Sequence, residues 1–353
     1  MNDADGTKVT SESIASVSVP DCMLCGSKGR SLYDGLEDRL FGAPGIWNLK
    51  ECVNTACGLM WLDPMPAEDE IGKAYPTYYT HREVGPIADS LLRRLYFFAK
   101  AGYLARKNGY RAASITPWQE LLGILIYLHP GRRARLDGGV MFLPAQTNGL
   151  LLDVGCGNGQ RLQEMEQLGW RVEGIDIDPK AVASARAKGF EVRVGSLEEQ
   201  LYPSNHFDAI TMNHVIEHVH NPLQLLQECH RLLRPSGRLA IVTPNIAGLG
   251  SRVFKEAWLG LDPPRHLHIF RRESLEALMS MAGFRRWTVH TTVAGNSEWF
   301  IGSRNIKREG KHALRSTQPH SAQLLGLAYQ YAEWFLLKVD SVSGEEIALV
   351  AKK

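Results

Sequence analysis

Two short stretches of the sequence carry histidines that could move a proton. The first is HVIEH, from His214 to His218, and the second is DPPRHLHIF, which contains His266 and His268 after two prolines. A histidine side chain has an ordinary pKa of ~6.5, so it serves readily as a general base near neutral pH. The prolines stiffen the entry to the second stretch, which is typical of a placed chemical group. These four histidines are therefore the candidate bases.

HVIEH also matches H-x-x-E-H, a zinc-peptidase pattern. That pattern requires a helix carrying both histidines, whereas here the motif begins at the end of a predicted strand and precedes a capped helix. We therefore set peptidase chemistry aside. Glu217 and His218 could fix this loop by hydrogen bonds.

Four cysteines form two pairs that could hold a metal. Cys22 and Cys25 stand in CMLCG, and Cys52 and Cys57 follow after a gap of 26 residues. Two such knuckles can close a tetrahedral structural zinc site, although the second spacing is looser than usual. The alternative is a small ribbon with reduced thiols, since free thiols persist in the cytoplasm.

The segment LLDVGCGNGQ predicts a cofactor loop between a strand and a helix. Gly155, Gly157 and Gly159 allow a sharp turn and a close backbone approach to a ligand, but their spacing departs from the dinucleotide fingerprint. Asp153 would be unfavourable beside a pyrophosphate and suits a ligand with ammonium and sulfonium groups, such as S-adenosylmethionine. Asp176 ends the next strand, where it is placed to accept hydrogen bonds from ribose hydroxyls.

These side chains are positioned by alternating strands and helices from residue 149 onward. Such alternation predicts a mostly parallel sheet with helices on both faces. The predicted strands are GLLLDVG, RVEGIDID, FEVRVG, FDAITMN, RLAIVTPN, RRWTVHTTV and EEIALVAKK. The glycine loop, Asp176, Gly195-Ser196-Leu197 and Asn213-His214 all follow strands, so they meet at one edge of the sheet.

With these motifs the sequence resembles class I S-adenosylmethionine-dependent methyltransferases. The resemblance covers about 149–245, through LLDVGCGNG, VEGIDIDP, FDAITMNHVIEHVHNP and LLRPSGRLAIVTPN. It implies an α/β fold, a Rossmann-like sheet of seven strands with an antiparallel last strand. It implies cofactor contacts from Asp153, Gly155, Cys156, Gly157, Asp176, Ile177, Ser196, Leu197, Asn213 and His214.

The N-terminal part is similar to that of a zinc-ribbon subgroup of these enzymes, which includes deoxysugar C-methyltransferases. The ribbon ends in CGLMWLDP and is followed by YPTYY. In that subgroup a tyrosine from this region reaches the cofactor, and Tyr79 or Tyr75 would be that residue here.

The resemblance to the sugar enzymes extends in part to the second histidine stretch. His266 and Phe270 match their pattern, but Arg265 replaces a glutamate and Ile269 replaces an aromatic residue. Arg265 would favour an anionic acceptor, such as a carboxylate or phosphate. The alternative is that Arg265 and His266 form a structural clasp onto the sheet.

The expected function is S-adenosylmethionine-dependent methyl transfer to a small or lipid-linked acceptor, such as a sugar or cell-surface glycan precursor. His266 is the expected base, with Arg265, His218 and Glu217 in the acceptor pocket. One alternative is a non-catalytic cofactor-binding or scaffold protein. Another is an O-methyltransferase of a quinone-like or membrane-associated substrate, a type in which the HVIEH region binds a divalent metal in some members. No nucleic-acid partner is expected, because the Asn/Asp-Pro-Pro-Tyr/Phe motif is absent after the fourth strand.

Composition sets the context for these expectations. The chain has 353 residues, 44% of them hydrophobic and 22% charged, with a net charge of +2, which is ordinary for a cytoplasmic protein. Its start lacks the features of a signal peptide. The expected parts are a loose tail (1–20), a ribbon module (21–63), a helical linker or cap (64–145) and a methyltransferase domain (146–353) with an insertion at 294–344.

The predicted helical segment 87–135 is unusually basic. Ten Arg or Lys residues against three Asp or Glu residues lie between 81 and 135, a net +7 beside an apolar face. We favour a solvated helical cap on the next domain. The sharper alternative is a peripheral membrane surface.

Overall fold

The N-terminal module is a small antiparallel ribbon. The computed structural model describes residues 13–75, 90–111, 115–314 and 318–353. The strands of this module are β1 (Ser16–Val17), β2 (Gly29–Leu36), β3 (Trp47–Cys52), β4 (Met60–Leu62) and β5 (Met65–Pro66). β1 pairs with β5, so Ser16 and Val17 of the tail expected for 1–20 form a strand, whereas residues 1–12 lie outside the described residues.

Three helices form the cap that follows. They are α1 (Leu91–Asn108), α2 (Pro117–Gly123) and α3 (Pro130–Gly139), with 3-10 turns at Ile71–Ala74 and Ile124–Leu128. Local sequence sets their ends: Ser90 caps α1, Gly109 ends it in a left-handed conformation, and Thr116 and Gln119 form a capping box on α2. Tyr103 and Leu104 of α1 are buried in the cluster that packs on the sheet.

The strands and helices that carry the glycine loop follow the predicted alternation. They are β6 (Leu150–Val154), α4 (Gln160–Gln167), β7 (Arg171–Asp176), α5 (Pro179–Ala187), β8 (Glu191–Val194), β9 (Phe207–Asn213), α6 (Pro222–Leu232) and β10 (Leu233–Pro244). Short 3-10 turns lie at Glu198–Gln200 and Ile216–His218. Asp178 and Asn221 cap α5 and α6, each directly before a proline, as that sequence pattern predicts.

The remainder of the chain completes the sheet and covers its end. The elements are α7 (Leu249–Phe254), β11 (His268–Ile269), α8 (Arg272–Met281), β12 (Arg286–Thr292), α9 (Asn296–Glu309), α10 (His320–Leu336) and β13 (Glu346–Lys352), with 3-10 turns at Lys255–Ala257 and Leu259–Leu261. α9 and α10 both lie within the insertion expected at 294–344. Among the described residues, no helix combines the length and apolarity needed to cross a bilayer.

Seven strands form the main sheet in the order β12-β13-β10-β9-β6-β7-β8. Strands β6 to β10 pair in parallel, whereas β13 runs antiparallel to both β10 and β12. The expected seven-stranded sheet with an antiparallel last strand is confirmed. The carboxyl ends of β6, β7, β8 and β9 meet at one edge, where open α/β sheets bind their ligands.

The ribbon sheet receives its fourth strand from far along the chain. β11 pairs antiparallel with β4, His268 opposite Trp61 and Ile269 opposite Met60. The sheet order is β11-β4-β3-β2. The ribbon is therefore bonded directly to the stretch that contains His266.

Candidate active site

A pocket of about 550 Å³ lies across the carboxyl ends of the parallel strands. Six of the predicted cofactor residues or their neighbours line it: Gly155, Asp176, Ile177, Ser196, Leu197 and His214. Its lining also includes Glu68, Ile71, Gly72 and Tyr75, which precede α1. The volume and the mixture of apolar walls with a few polar groups are typical of small-molecule sites.

The glycine loop brings the backbone close to this pocket. Gly155 has a φ of +72°, and a Cβ there would lie 2.5 Å from Val215 Cγ2. Gly157 N–H donates to Asp176 Oδ2 at 2.8 Å, and Asp178 N–H donates to Asp176 Oδ1 at 2.9 Å. Burial raises the pKa of Asp176 despite these donors. The glycine loop thus fixes the carboxylate that was expected to meet a ribose.

Asp153 lies deeper than the pocket wall. Its carboxylate is buried, accepts a hydrogen bond from Thr211 Oγ1 at 2.6 Å and lies 3.8 Å from Arg161 Nε. Burial raises its pKa. Cys156 is also buried and its Sγ approaches Gly157 O at 3.8 Å. In this structure both residues support the loop from behind.

His214 is held between two carboxylates. Its Nδ1 lies 3.1 Å from Glu217 Oε1 and its Nε2 lies 2.9 Å from Glu346 Oε1. Its φ of +54° turns the chain sharply after Asn213, the last residue of β9. Thr243 Oγ1 donates to Glu217 Oε2 at 2.9 Å. A charged network therefore forms the floor of the site.

The pKa values of His214 and Glu217 are shifted in opposite directions. Burial alone would lower the pKa of His214, but hydrogen bonds to Glu217 and Glu346 raise it to about 10. Burial would raise the pKa of Glu217, yet His214 lowers it to about 2. His214 is therefore an imidazolium at neutral pH and has no lone pair with which to accept a proton. Of the four candidate histidines, His214 serves as a fixed positive charge.

His218 and His266 lie face to edge, with ring centroids 4.7 Å apart. His218 Nδ1 lies 3.0 Å from Arg265 O, and His266 Nδ1 lies 2.8 Å from Gly260 O. A carbonyl oxygen can only accept, so each Nδ1 carries a proton, and in the neutral form of either ring the lone pair lies on Nε2. Burial, followed by the nearby His266, lowers the pKa of His218 to about 4. His218 is therefore a neutral imidazole at physiological pH.

The same residues offer a donor set for a metal. Glu217, His218 and His266 each place one ligand atom within 4.8 Å of the others. A carboxylate with two imidazoles suits a divalent transition metal. Both Glu217 oxygens already accept from His214 and Thr243, so a metal would have to share or displace one of these bonds.

His268 and Arg265 are both buried. His268 is buried within β11, where burial lowers its pKa to about 4. The Arg265 side chain has no exposed surface, and its five N–H donors are all engaged. Nη1 and Nη2 donate to Asp38 at 2.7 and 2.8 Å, and the rest go to Asp262 and the carbonyl of Ala74. The anion-binding role predicted for Arg265 is therefore wrong, because no donor remains for an acceptor; it forms the alternative clasp.

One of the two candidate tyrosines lies at the pocket. The Tyr75 hydroxyl lies 3.0 Å from His218 Nδ1 and the residue lines the pocket. Tyr79 lies outside the described residues.

The four paired cysteines converge as expected. The Sγ atoms of Cys22 and Cys57 are 3.6 Å apart, and those of Cys25 and Cys52 are 3.3 Å apart. All four lie within 4.8 Å of one another. A tetrahedral zinc ion with Zn–S bonds of ~2.3 Å would need sulfur separations of this size. The quartet fits a structural zinc ion.

Several functional neighbours escaped the sequence reasoning. Glu346 and Thr243 complete the His214 network, and Trp299 lies 6.0 Å from His214 between ring centroids. Asp38 holds Arg265 from 227 positions away. No local pattern marks these partners, because each lies on a different element.

Part of the chain is similar to known methyltransferases. Residues 127–289 match the model of the methyltransferase domain family. Relatives include the ubiquinone biosynthesis O-methyltransferase of Xanthomonas oryzae pv. oryzae, 35% identical over 144 residues, covering 38% of this chain and 59% of that protein. The mitochondrial ubiquinone biosynthesis O-methyltransferase of Rattus norvegicus is 33% identical over 185 residues, covering 47% and 53%. The chain thus spans just over half the length of these relatives.

Solved structures with similar chains have lower identity. An S-adenosylmethionine-dependent methyltransferase from Mesorhizobium loti gives a TM-score of 0.45 at 17% identity, covering 62% of this chain and 98% of its own. The phosphoethanolamine N-methyltransferase 2 of Haemonchus contortus, in complex with S-adenosyl-L-methionine, gives 0.42 at 18% identity, covering 88% and 70%.

Proposed function

We propose that the chain, through the domain that contains residues 127–289, transfers the methyl group of S-adenosylmethionine to a hydroxyl oxygen of a small, quinone-like phenol. The contact between His218 and His266 carries this proposal, because His218 lines the cofactor pocket and the hydrogen bond from Nδ1 of His266 to Gly260 O leaves its Nε2 to accept a proton. The similarity to proteins named ubiquinone biosynthesis O-methyltransferase supports the acceptor class.

The pocket residues account for cofactor binding. Asp176 would accept from the ribose hydroxyls, and Ile177 and Leu197 would pack on the adenine. Gly155 lets the backbone approach the ligand without a side chain in the way. The cofactor supplies an electron-poor methyl group on a good leaving group, and the chain supplies alignment.

The acceptor must lose a proton as its oxygen attacks. His266 is the proposed base: its Nδ1–H is held by Gly260 O, so the ring orientation is fixed and Nε2 takes the proton. Asp262 Oδ2, 3.9 Å from that Nε2, would stabilise the imidazolium that results. His218 stays neutral at physiological pH and would position the acceptor hydroxyl.

Two further acceptors remain candidates for specific reasons. A sugar or glycan precursor is favoured by the cysteine quartet and by Tyr75 beside His218, the features that resemble the sugar enzymes. A lipid-linked acceptor is favoured by the apolar surface of the cap. Cytoplasmic location and a peripheral membrane contact through 87–135 also stay proposals.

The decisive experiment pairs cofactor binding with turnover on an acceptor panel of catechols and sugar nucleotides. His266→Ala should lower turnover about 10²–10⁴-fold while S-adenosylmethionine affinity, measured by calorimetry, stays unchanged. His268→Ala, a buried histidine two positions on, is the matched control and should keep turnover. Unchanged turnover in His266→Ala would remove the base assignment, and a fall on chelation would favour the metal-assisted version. Cofactor binding without turnover on any acceptor would favour the non-catalytic alternative.

A further inference from the structure

The outer face of the helical cap is apolar where a solvated cap would be polar. Among the described residues, 22 large hydrophobic side chains are exposed, and ten of them fall between 91 and 128. These ten, which we call the cap face, are Leu91, Leu92, Leu95, Phe97, Trp118, Leu121, Ile124, Leu125, Tyr127 and Leu128. Leu92 is 79% exposed and Trp118 is 70% exposed. Apolar exposure concentrated in this way marks an interaction surface.

The cap face is presented by a firmly packed pair of helices. α1 and α2 touch backbone to backbone: a side chain on Gly102 would overlap Gln119, and a Cβ on Gly123 would lie 2.5 Å from Tyr103 N. Their inner side is buried, through Tyr103 and Ile126, in the cluster that packs on the sheet. The exposed apolar residues are therefore the second, outward side of helices that are already anchored.

The charge around the cap face is strongly positive. The described part of 90–139 has nine Arg or Lys residues against two carboxylates, a net +7. Both carboxylates are already paired, Glu120 with Arg111 at 3.3 Å and Asp137 with Lys107 at 2.5 Å. With these pairs counted, and with Arg135 of α3 paired with Glu298 of α9 at 2.6 Å, the described segment still carries more cationic than anionic side chains.

Cations stack on aromatic rings of the cap. The guanidinium of Arg93 lies 5.4 Å from the Phe97 ring centroid, and that of Arg132 lies 5.6 Å from the Tyr96 centroid. Apolar and aromatic residues flanked by Lys and Arg are the composition of helices that lie in the interface of an anionic bilayer. A second copy of the chain is a poor occupant, because two faces of net +7 would repel each other.

The cap is joined to the acceptor side of the site. Arg135 of α3 pairs with Glu298 of α9 at 2.6 Å, and Tyr331 of α10 donates to Leu128 O at 3.5 Å. α9 also carries Trp299, beside His214. A bilayer against the cap face would therefore lie next to α9, which carries the tryptophan beside His214.

We propose that the cap face docks the protein peripherally on a bilayer that contains anionic phospholipid. Leucines and Trp118 enter the headgroup region, and the surrounding arginines and lysines bind lipid phosphates. Docking at this position would let an acceptor with a long apolar tail reach the site from the membrane. The docking itself requires no methyl transfer, so it stands or falls separately from the proposed reaction.

Vesicle flotation of the full chain tests this. Vesicles of phosphatidylcholine alone and of an equal mixture with phosphatidylglycerol are compared, at salt from about 0.1 M to about 1 M, where the Debye length falls from ~10 to ~3 Å. The protein should float only with the anionic vesicles, and less as salt rises. Leu92→Glu and Leu128→Glu should each weaken binding at least about tenfold. Ile46→Glu, an equally drastic change at an exposed residue of the ribbon, should not.

The folding and the oligomeric state of each variant are measured as controls in the same samples. Thermal unfolding and S-adenosylmethionine binding should be unchanged in all three variants, since these side chains are exposed. The proposal is overturned if the protein fails to float with anionic vesicles at low salt. It is equally overturned if folded Leu92→Glu and Leu128→Glu float like the parent, or if the parent forms a dimer that these variants break.

Discussion

The buried clasp of Arg265 yields a sharp prediction about stability and catalysis together. The Arg265 and Asp38 side chains have no exposed surface, and Asp262 is nearly buried. Arg265→Met would leave two buried carboxylates without their counter-charge, which costs about 3–5 kcal/mol. Asp38→Asn keeps the shape, and Arg265 stays compensated by Asp262, so we expect a smaller loss of about 1–3 kcal/mol.

Arg265 also contacts residues of the active site, so breaking its ion pair should lower the turnover rate. Arg265 O accepts from His218 Nδ1, and Arg265 Nη1 donates to the carbonyl of Ala74, beside Tyr75. In Asp38→Asn we expect kcat to fall while the affinity for S-adenosylmethionine stays the same. An anion-binding arginine would behave differently: its loss would raise the acceptor KM and leave stability unchanged.

Urea unfolding of the parent, the two single variants and the double variant measures the effect. The two losses should not add, because either change breaks the same ion pair, and the cycle should give a coupling of at least about 1 kcal/mol. If Arg265→Met costs no more than about 0.5 kcal/mol, as at an ordinary surface position, the clasp interpretation is refuted.

Three further results are expected. Asp176→Ala should weaken S-adenosylmethionine binding about 10–100-fold by calorimetry, since the ribose would lose a charged acceptor, and unchanged affinity would contradict the assigned pocket. Cys57→Ser should reduce the zinc content and the melting temperature, whereas Cys229→Ala, a buried cysteine outside the quartet, should keep the metal. The pKa of His214 is raised from about 6.5 to about 10, so its stabilisation is full below pH ~6.5 and is lost as the pH rises towards 10. His214→Gln should therefore destabilise the protein more at pH 6 than at pH 9 in urea unfolding, and an equal loss at both would contradict the raised pKa.

The main sheet was predictable because its signals are local. Apolar runs, the glycine loop, and the Asp178-Pro179 and Asn221-Pro222 caps each lie within a few residues of the element they define. The Cys quartet was predictable for a related reason, since ligand spacing within two short knuckles implies one metal site. α9 was missed because its sequence shows a basic run more strongly than an apolar period.

The side-chain partners of the site were not predictable in this way. Glu346 meets His214 across 132 positions, and Asp38 meets Arg265 across 227. The sequence makes His214 a candidate base. The structure places a carboxylate on each of its ring nitrogens, and these carboxylates turn it into a fixed cation. Residue type suggested the chemistry here, but only the tertiary arrangement could assign the protonation states.

The ribbon sheet pairs two strands that are far apart in the sequence, which affects how the chain folds during synthesis and where it can be truncated. β4 is made early, yet its partner β11 appears some two hundred residues later, so the ribbon sheet stays incomplete for most of translation. Until then Met60, Trp61 and Leu62, all buried in the finished protein, lie on an open edge that invites wrong pairing. The ribbon is thus no exchangeable module: a fragment ending before residue 268 would keep the cysteines and lack the strand that closes their sheet.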